Sequence, residues 1–389
     1  MAKNHFIVFL FFILTYNKAQ AQKHPNMERA QATLDSIYKY YGVSGSQLLR
    51  ETYPFEDNYK ADYLVSQEQA NRANPYAYLW PYSGSLSAHV ALYAQDNLPA
   101  SKAQIDTRVL PGLEKYYDTR SPAGYASYVN FAPTSDRFYD DNVWLGIDFT
   151  DLYLHTKELR YLHKAEEIWQ FVASGMDEKL GGGIYWCEQR KESKNTCSNA
   201  PSIVYLAKLY KATKKQAYLD LAKQLYQWTQ TNLMDKSDSL YFDNINLEGK
   251  LDKRKYAYNS GQMIQAGALL YTLTAEKRYL SDAQQVAKSA YQEFFTDHAQ
   301  HGEPTRLLKS GNMWFIAVMA RGFAELYHID KNKQYVHTMQ ANLDHAWNKM
   351  RESNGLFNKD WKGQGKDERK WLLDQFAMVE MFGNFEFNP

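Results

Sequence analysis

The chain predicts an all-α fold, an (α/α)6 toroid of alternating inner and outer helices, on three observations. A tyrosine-centred motif recurs as Arg160-Tyr161-Leu162-His163-Lys164-Ala165, Ala217-Tyr218-Leu219-Asp220-Leu221-Ala222 and Arg278-Tyr279-Leu280-Ser281-Asp282-Ala283. A looser copy is Gln334-Tyr335-Val336-His337, and the four tyrosines lie 57, 61 and 56 residues apart. Such a period marks repeated units that bury their apolar faces only against their neighbours. Each copy opens a polar-faced amphipathic helix and follows a more apolar one, so every unit pairs an outer helix with an inner helix. Finally, no Pro/Gly/Ser-rich linker divides the chain, so one domain is expected over residues 22–389.

In chain order, residues 1–21 read as a secretory signal. Lys3 precedes the apolar run Phe6 to Leu14, and Ala19-Gln20-Ala21 is an A-x-A cleavage site. The run is well short of the roughly 20 residues that span a membrane. Gln22, where a lipid anchor would need cysteine, becomes the first mature residue, and the expected location is periplasmic or extracellular. Met27 to Tyr41 is an amphipathic helix, and Tyr82 to Tyr93, behind Tyr78-Leu79-Trp80-Pro81, a buried one. Gln104 to Tyr117 is amphipathic again. Val143, Leu145, Ile147, Phe149 and Leu152 make the helix after Asp141 apolar on much of its surface. Further inner helices open at Ser198-Asn199-Ala200-Pro201, Asn259-Ser260-Gly261 and Gly311-Asn312, and Trp371 to Met381 closes the set. Two β-prone loops, Gly181 to Glu188 and Leu240 to Asn244, are expected to form small hairpins.

Charge narrows the partners. The formal net charge is +1, and loss of Lys3 and Lys18 with the signal leaves −1. No basic stripe points to nucleic acid and no later segment is apolar enough to span a membrane, so a neutral partner is expected. The chain is expected to be a monomer that needs no cofactor and no metal. The 31 Tyr and 9 Trp supply core, but also ring faces on which the C–H face of a pyranose can stack. The two cysteines, Cys187 and Cys197, share one polar loop. In an oxidising compartment they close a short disulfide loop, with two free thiols as the alternative.

In a toroid the turns that enter the inner helices converge at one end, bringing Trp80, Asp140, Asp141, Asn199, Asn259 and Asn312 together. Asp140 and Asp141 stand at the start of a helix, where acids commonly cap. The aromatic, polar surroundings favour a second role. Glycosidic cleavage needs one carboxyl to protonate the leaving oxygen and another to attack the anomeric carbon or activate water. Two carboxyls this close cannot ionise equally, so one is held as the acid. Trp80, Trp186 and Trp314 are candidates for stacking on sugar, with packing between helix ends as their plainer reading. Asn195, Asn199 and Asn259 read most simply as caps, Asp243 as a turn residue, and Glu188 as an alternative acid with no paired carboxylate.

Tyr139-Asp140-Asp141-Asn142-Val143-Trp144 resembles the signature of glycoside hydrolase family 76, the α-1,6-mannanase family. Gly181 to Trp186 resembles that family's glycine-aromatic loop, and Lys194-Asn195-Thr196-Cys197-Ser198-Asn199 its K-N helix start. Leu240 to Asp243 and Tyr258-Asn259-Ser260-Gly261 resemble two further stretches, so the likeness runs from about Tyr78 to the C-terminus. The resemblance implies a retaining endo-acting hydrolase of α-mannan, with Asp140 as nucleophile and Asp141 as acid/base. It also implies sugar contacts from Asp243, Tyr139, Asn142, Asn195, Asn199, Tyr258 and Asn259. Two departures bear on the subsites: Ser260 where Gln is frequent, and Asn312-Met313-Trp314-Phe315 where an aromatic-Lys-Gly segment is common. The alternatives are a transglycosidase with the same nucleophile and a catalytically idle glycan-binding toroid.

Overall fold

The computed structural model describes residues 25–56, 59–61, 74–298 and 304–385, so the expected signal segment lies outside the described residues. Its helices are α1 (Pro25–Tyr41), α2 (Leu79–Asp96), α3 (99–116), α4 (Tyr139–Thr156), α5 (Leu159–Ala173) and α6 (Thr196–Thr213). They continue with α7 (Gln216–Leu233), α8 (Ala257–Thr274), α9 (Lys277–Glu293), α10 (Met313–Asp330), α11 (Lys333–Lys349) and α12 (Leu372–Asn384). The even-numbered helices are apolar nearly all round and bury most of their length, while the odd-numbered ones bury a single stripe. Each even helix packs on the next, and α12 returns to α2, which closes the inner ring. The first helix, α1, covers α12 from outside. The fold is an (α/α)6 barrel.

The sequence period has a local cause. Helices α2, α4, α6, α8 and α10 each end on a left-handed residue, Asn97, Lys157, Lys214, Ala275 and Lys331. Its N–H bonds back to the carbonyl of Tyr93, Tyr153, Tyr210, Tyr271 or Tyr327. After the last four, the outer helix starts within two residues, which puts Tyr161, Tyr218, Tyr279 and Tyr335 in its first turn. Between α8 and α10 the backbones touch. A Cβ on Gly261 would lie 2.3 Å from the Met319 Cα, and one on Gly322 2.3 Å from the Gly261 carbonyl oxygen.

Two expected elements differ. The helix expected over 104–117 starts earlier, at Pro99, and is broken into α (Pro99–Gln104), π (Ile105–Val109), α (Leu110–Leu113) and 3₁₀ (Glu114–Tyr116) pieces. Pro111 has no N–H to continue the ladder, and Gly112 admits the Tyr82 hydroxyl, 1.8 Å from where a Cβ would stand. Gly181 to Glu188 forms isolated bridges, Met176 to Ile184, Tyr185 to Lys194 and Phe138 to Cys187, in place of a hairpin. Gly181, Gly182 and Gly183 all have positive φ, and the buried Lys194 ammonium gathers the Asp177, Lys179 and Gly182 carbonyls beneath them. The second loop does become a hairpin: Phe242–Asn246 pairs with Leu251–Lys255 and, on its other edge, with Ser193–Asn195.

Candidate active site

The twin carboxylates are not caps. Phe138 is the N-cap of α4, extended and without a side-chain cap, so Asp140 and Asp141 are the second and third helical residues. Their position is set by main-chain contacts. Tyr139 N–H donates to the Trp186 carbonyl at 2.9 Å, and Phe138 bridges to Cys187. Both acids open into a cleft of about 440 Å³ at the ring's N-terminal end, whose wall includes Trp80, Trp186, Asp243 and Tyr258.

The two acids differ in what surrounds them. Trp186 Nε1–H donates to Asp140 Oδ2 at 3.2 Å, and the Cys197 thiol and the first-turn amides of α4 also face that carboxyl. Burial still raises Asp140 to about 6, against these donors. Asp141 has no such support. Burial first, and then the negative charge of Asp140, push it well above the usual carboxylate range. One proton shared by the pair therefore resides on Asp141 and leaves Asp140 as the carboxylate. Asp243 is raised by burial and drawn back by the Asn244 amide, at 3.0 Å, and by Arg254. Glu188 is no free acid, because Arg137 holds it in a two-pronged ion pair and keeps its carboxyl low against burial.

Of the expected sugar contacts, Trp80, Trp186, Asn195, Asp243, Tyr258 and Trp314 line the cleft. Asn195 is the N-cap of α6 but does not cap with its side chain, which accepts instead from Ser193 Oγ at 2.7 Å. Trp314 is only 1% exposed and meets Trp144 edge-on with centroids 4.7 Å apart, so it is packing more than platform. Four residues do not reach the cleft. Tyr139 is buried and stacked on Phe171. Asn142 and Asn199 are loop clamps: each amide binds both main-chain groups of one residue, Tyr125 and Ile184 respectively. At the matching place, four residues after the N-caps of α8 and α12, Gln375 does the same for Phe357, while the Ser260 hydroxyl only accepts from the Tyr241 N–H. Asn259 is buried beside Asp243 and draws its carboxyl down, with no well-formed hydrogen bond of its own.

The structure does not contain the expected disulfide. Cys187 and Cys197 are free buried thiols. The bridge to Phe138 holds Cys187, whose Sγ reaches Gln189 Oε1 at 3.8 Å, whereas Cys197 sits in the first turn of α6 and faces Asp140. Reading the sequence also missed Phe315, Tyr256, Trp144 and Arg254 in the cleft wall. Phe315 stacks on Tyr258 with centroids 4.0 Å apart at 8°, and again on Trp80. Its place one residue after Trp314, on the face turned to the cleft, was the available signal.

A model of glycosyl hydrolase family 76 matches residues 51–388. A family 76 mannosidase from Bacteroides thetaiotaomicron superposes with a TM-score of 0.83 at 33% identity, over 93% of this chain and 98% of that one. An inactive variant of an α-1,6-mannanase from Salegentibacter, in complex with α-1,6-mannotriose, superposes with a TM-score of 0.73. At 22% identity over 93% of this chain and 99% of that one, that likeness is one of fold alone. The mannan endo-1,6-alpha-mannosidase of Saccharomyces cerevisiae is 27% identical over 150 residues, 36% of this chain and 33% of its own. The meiotically up-regulated gene 191 protein of Schizosaccharomyces pombe is 30% identical over 193 residues, 46% of this chain and 43% of its own. The chain thus spans less than half the length of these two curated relatives.

Proposed function

The chain belongs to glycosyl hydrolase family 76, and from that premise we propose that it is an exported, retaining, endo-acting hydrolase of α-1,6-linked mannan. The observation that carries the mechanism is the unequal setting of the twin acids: donors converge on Asp140 and none on Asp141. Asp140, ionised, attacks the anomeric carbon while Asp141 gives its proton to the departing glycosidic oxygen, leaving a mannosyl ester on Asp140. Asp141, now a carboxylate, takes a proton from water, which displaces Asp140 and releases mannan of the original configuration. Trp80, Trp186 and Phe315 offer partly exposed ring faces to the sugar, and Asp243 an acceptor for its hydroxyls. The relative from Saccharomyces cerevisiae, named for the same bond, supports the substrate.

Export rests on the Lys3 to Ala21 segment, and N-terminal sequencing of the mature protein should begin at Gln22. The substrate is tested by incubating the protein with debranched α-1,6-mannan. A ladder of mixed sizes at early times supports endo attack, and mannose alone supports exo attack. Products that need an added sugar acceptor would assign group transfer, and binding without turnover would reduce the protein to a glycan-binding toroid.

A further inference from the structure

We infer that Trp186 is a positioning residue for the nucleophile: its indole N–H holds Asp140 Oδ2, leaves Oδ1 to meet the anomeric carbon and favours the ionised carboxyl. This role rests on Asp140 being the nucleophile, and it is separate from the ring face that Trp186 offers to sugar. Trp186 is tied to the nucleophile's helix through main chain and side chain alike. The segment 186–188 runs antiparallel to 137–139: Tyr139 N–H donates to the Trp186 carbonyl at 2.9 Å, Phe138 bridges to Cys187, and Glu188 N–H donates to the Arg137 carbonyl at 3.0 Å. The Arg137–Glu188 ion pair laces the same two segments, with Nε to Oε2 at 2.7 Å. Trp186 N–H in turn donates to the Ser193 carbonyl at 3.3 Å, and its ring packs against Phe138 with centroids 5.0 Å apart. A side chain fixed at so many points is pre-organised to donate to Asp140 Oδ2, at 3.2 Å.

The two oxygens of Asp140 are thereby unequal. Oδ2 takes the indole N–H, whereas Oδ1 is buried without a hydrogen-bond partner. A buried carboxylate oxygen left unpaired is costly, and at a catalytic site the missing partner is the reacting atom. The titratable and charged groups that share the cleft with Asp140 are Asp141 on α4, Cys197 on α6, Asp243 and Arg254 on the hairpin, and Tyr256 and Tyr258 at the start of α8. Unlike the carboxyls and the thiol, the indole has one N–H and no acceptor, and it does not titrate in the working range. It donates at every working pH and adds no charge. Burial raises Asp140 to about 6, with the indole among the groups that draw it down.

The test separates the N–H from the ring. Trp186→benzothienylalanine puts sulfur in place of the indole N–H at nearly constant shape, so it keeps the ring face and loses the donor. Trp186→Phe does the same with a smaller ring and takes its place should the first variant not fold. Both are compared with Asp140→Asn and the unmutated protein, on debranched mannan and on a dinitrophenyl α-1,6-mannobioside, with circular dichroism and thermal melts as fold controls. Without the donor the ionised form of Asp140 is less favoured, so the acid limb of kcat/KM should move up by about one pH unit. Formation of the mannosyl enzyme should slow about tenfold on both substrates, as for loss of one hydrogen bond to a charged group, with KM on mannan within about twofold. An unshifted limb with normal kcat, a loss confined to KM, or a dinitrophenyl substrate that is spared overturns the inference and leaves Trp186 as a sugar platform alone. If Asp140→Asn stays active on the dinitrophenyl substrate, the nucleophile reading fails and takes this role with it. If Asp140→Asn is inert and the benzothienyl variant is normal, the positioning role alone fails.

Discussion

Replacing Asp141 by Asn removes the proton donor and leaves the nucleophile intact, so its effect should depend on the leaving group. Asp141 is buried and lies next to the Asp140 charge, which keeps its proton on well above the usual carboxylate range. The unmutated protein therefore holds its acid in the working form across neutral pH, and below pH 6 its rate falls as Asp140, at about 6, takes up a proton. General acid catalysis is worth about 10²–10⁴ in rate, and Asp141→Asn should lose that much on mannan, whose leaving oxygen needs the proton. A dinitrophenolate leaves without one, so formation of the mannosyl enzyme should be largely spared and a burst should precede slow turnover. Added azide, which needs no base, should speed that turnover and give the α-mannosyl azide. Asp140→Asn should instead be inert on both substrates and beyond azide rescue with retention. Stopped-flow release of dinitrophenolate reads every arm. Near-normal turnover in both Asn variants would refute the reasoning, and α-azide rescue in Asp140→Asn would exchange the two roles.

Three further expectations follow from the same contacts. Asp243→Asn should lower kcat/KM on mannan by about 10-fold or more through lost hydrogen bonds to the sugar, with an unchanged melting curve; normal kinetics would remove Asp243 from the site. Gly261→Ala forces a Cβ to within 2.3 Å of the Met319 backbone. It should therefore cost at least about 2 kcal/mol in denaturant unfolding, against no change if α8 and α10 are not in contact. Asp148 and Asp374 are buried acids raised to about 7. An acid whose folded-state value is raised adds stability below its unfolded value and loses it as pH climbs through the folded one. The melting temperature should thus fall between about pH 4 and pH 8, and Asp148→Asn should flatten part of that slope.

The helical plan was legible because it is written in side-chain period. Tyr161, Tyr218, Tyr279 and Tyr335 mark the first turns of α5, α7, α9 and α11, and the apolar helices before them form the inner ring. The twin acids were legible for the same reason, since two carboxylates opening an apolar helix needed only the ring to bring them to a cleft. What the sequence hid is direction. Asn142 and Asn199 look like polar residues at the mouth of a site, yet their amides turn back to bind Tyr125 and Ile184. Nothing in their local sequence distinguishes a clamp from a sugar contact. The break in α3 was signalled by Pro111 and Gly112, though the π turn before them was not. An oxidising compartment and one shared loop predict a disulfide between Cys187 and Cys197, whereas the structure keeps both as free thiols, Cys187 on the strand bridge to Phe138 and Cys197 in the first turn of α6.

The division of labour between Asp140 and Asp141 is tested most directly by one proton NMR time course. Debranched α-1,6-mannan is mixed with the unmutated protein, and the anomeric signal of the new reducing end is followed before mutarotation scrambles it. Attack by Asp140 followed by attack of water inverts the centre twice, so the first reducing ends to appear should be α. A β anomer at first release would mean a single displacement by water and would contradict the assignment of Asp140 as nucleophile.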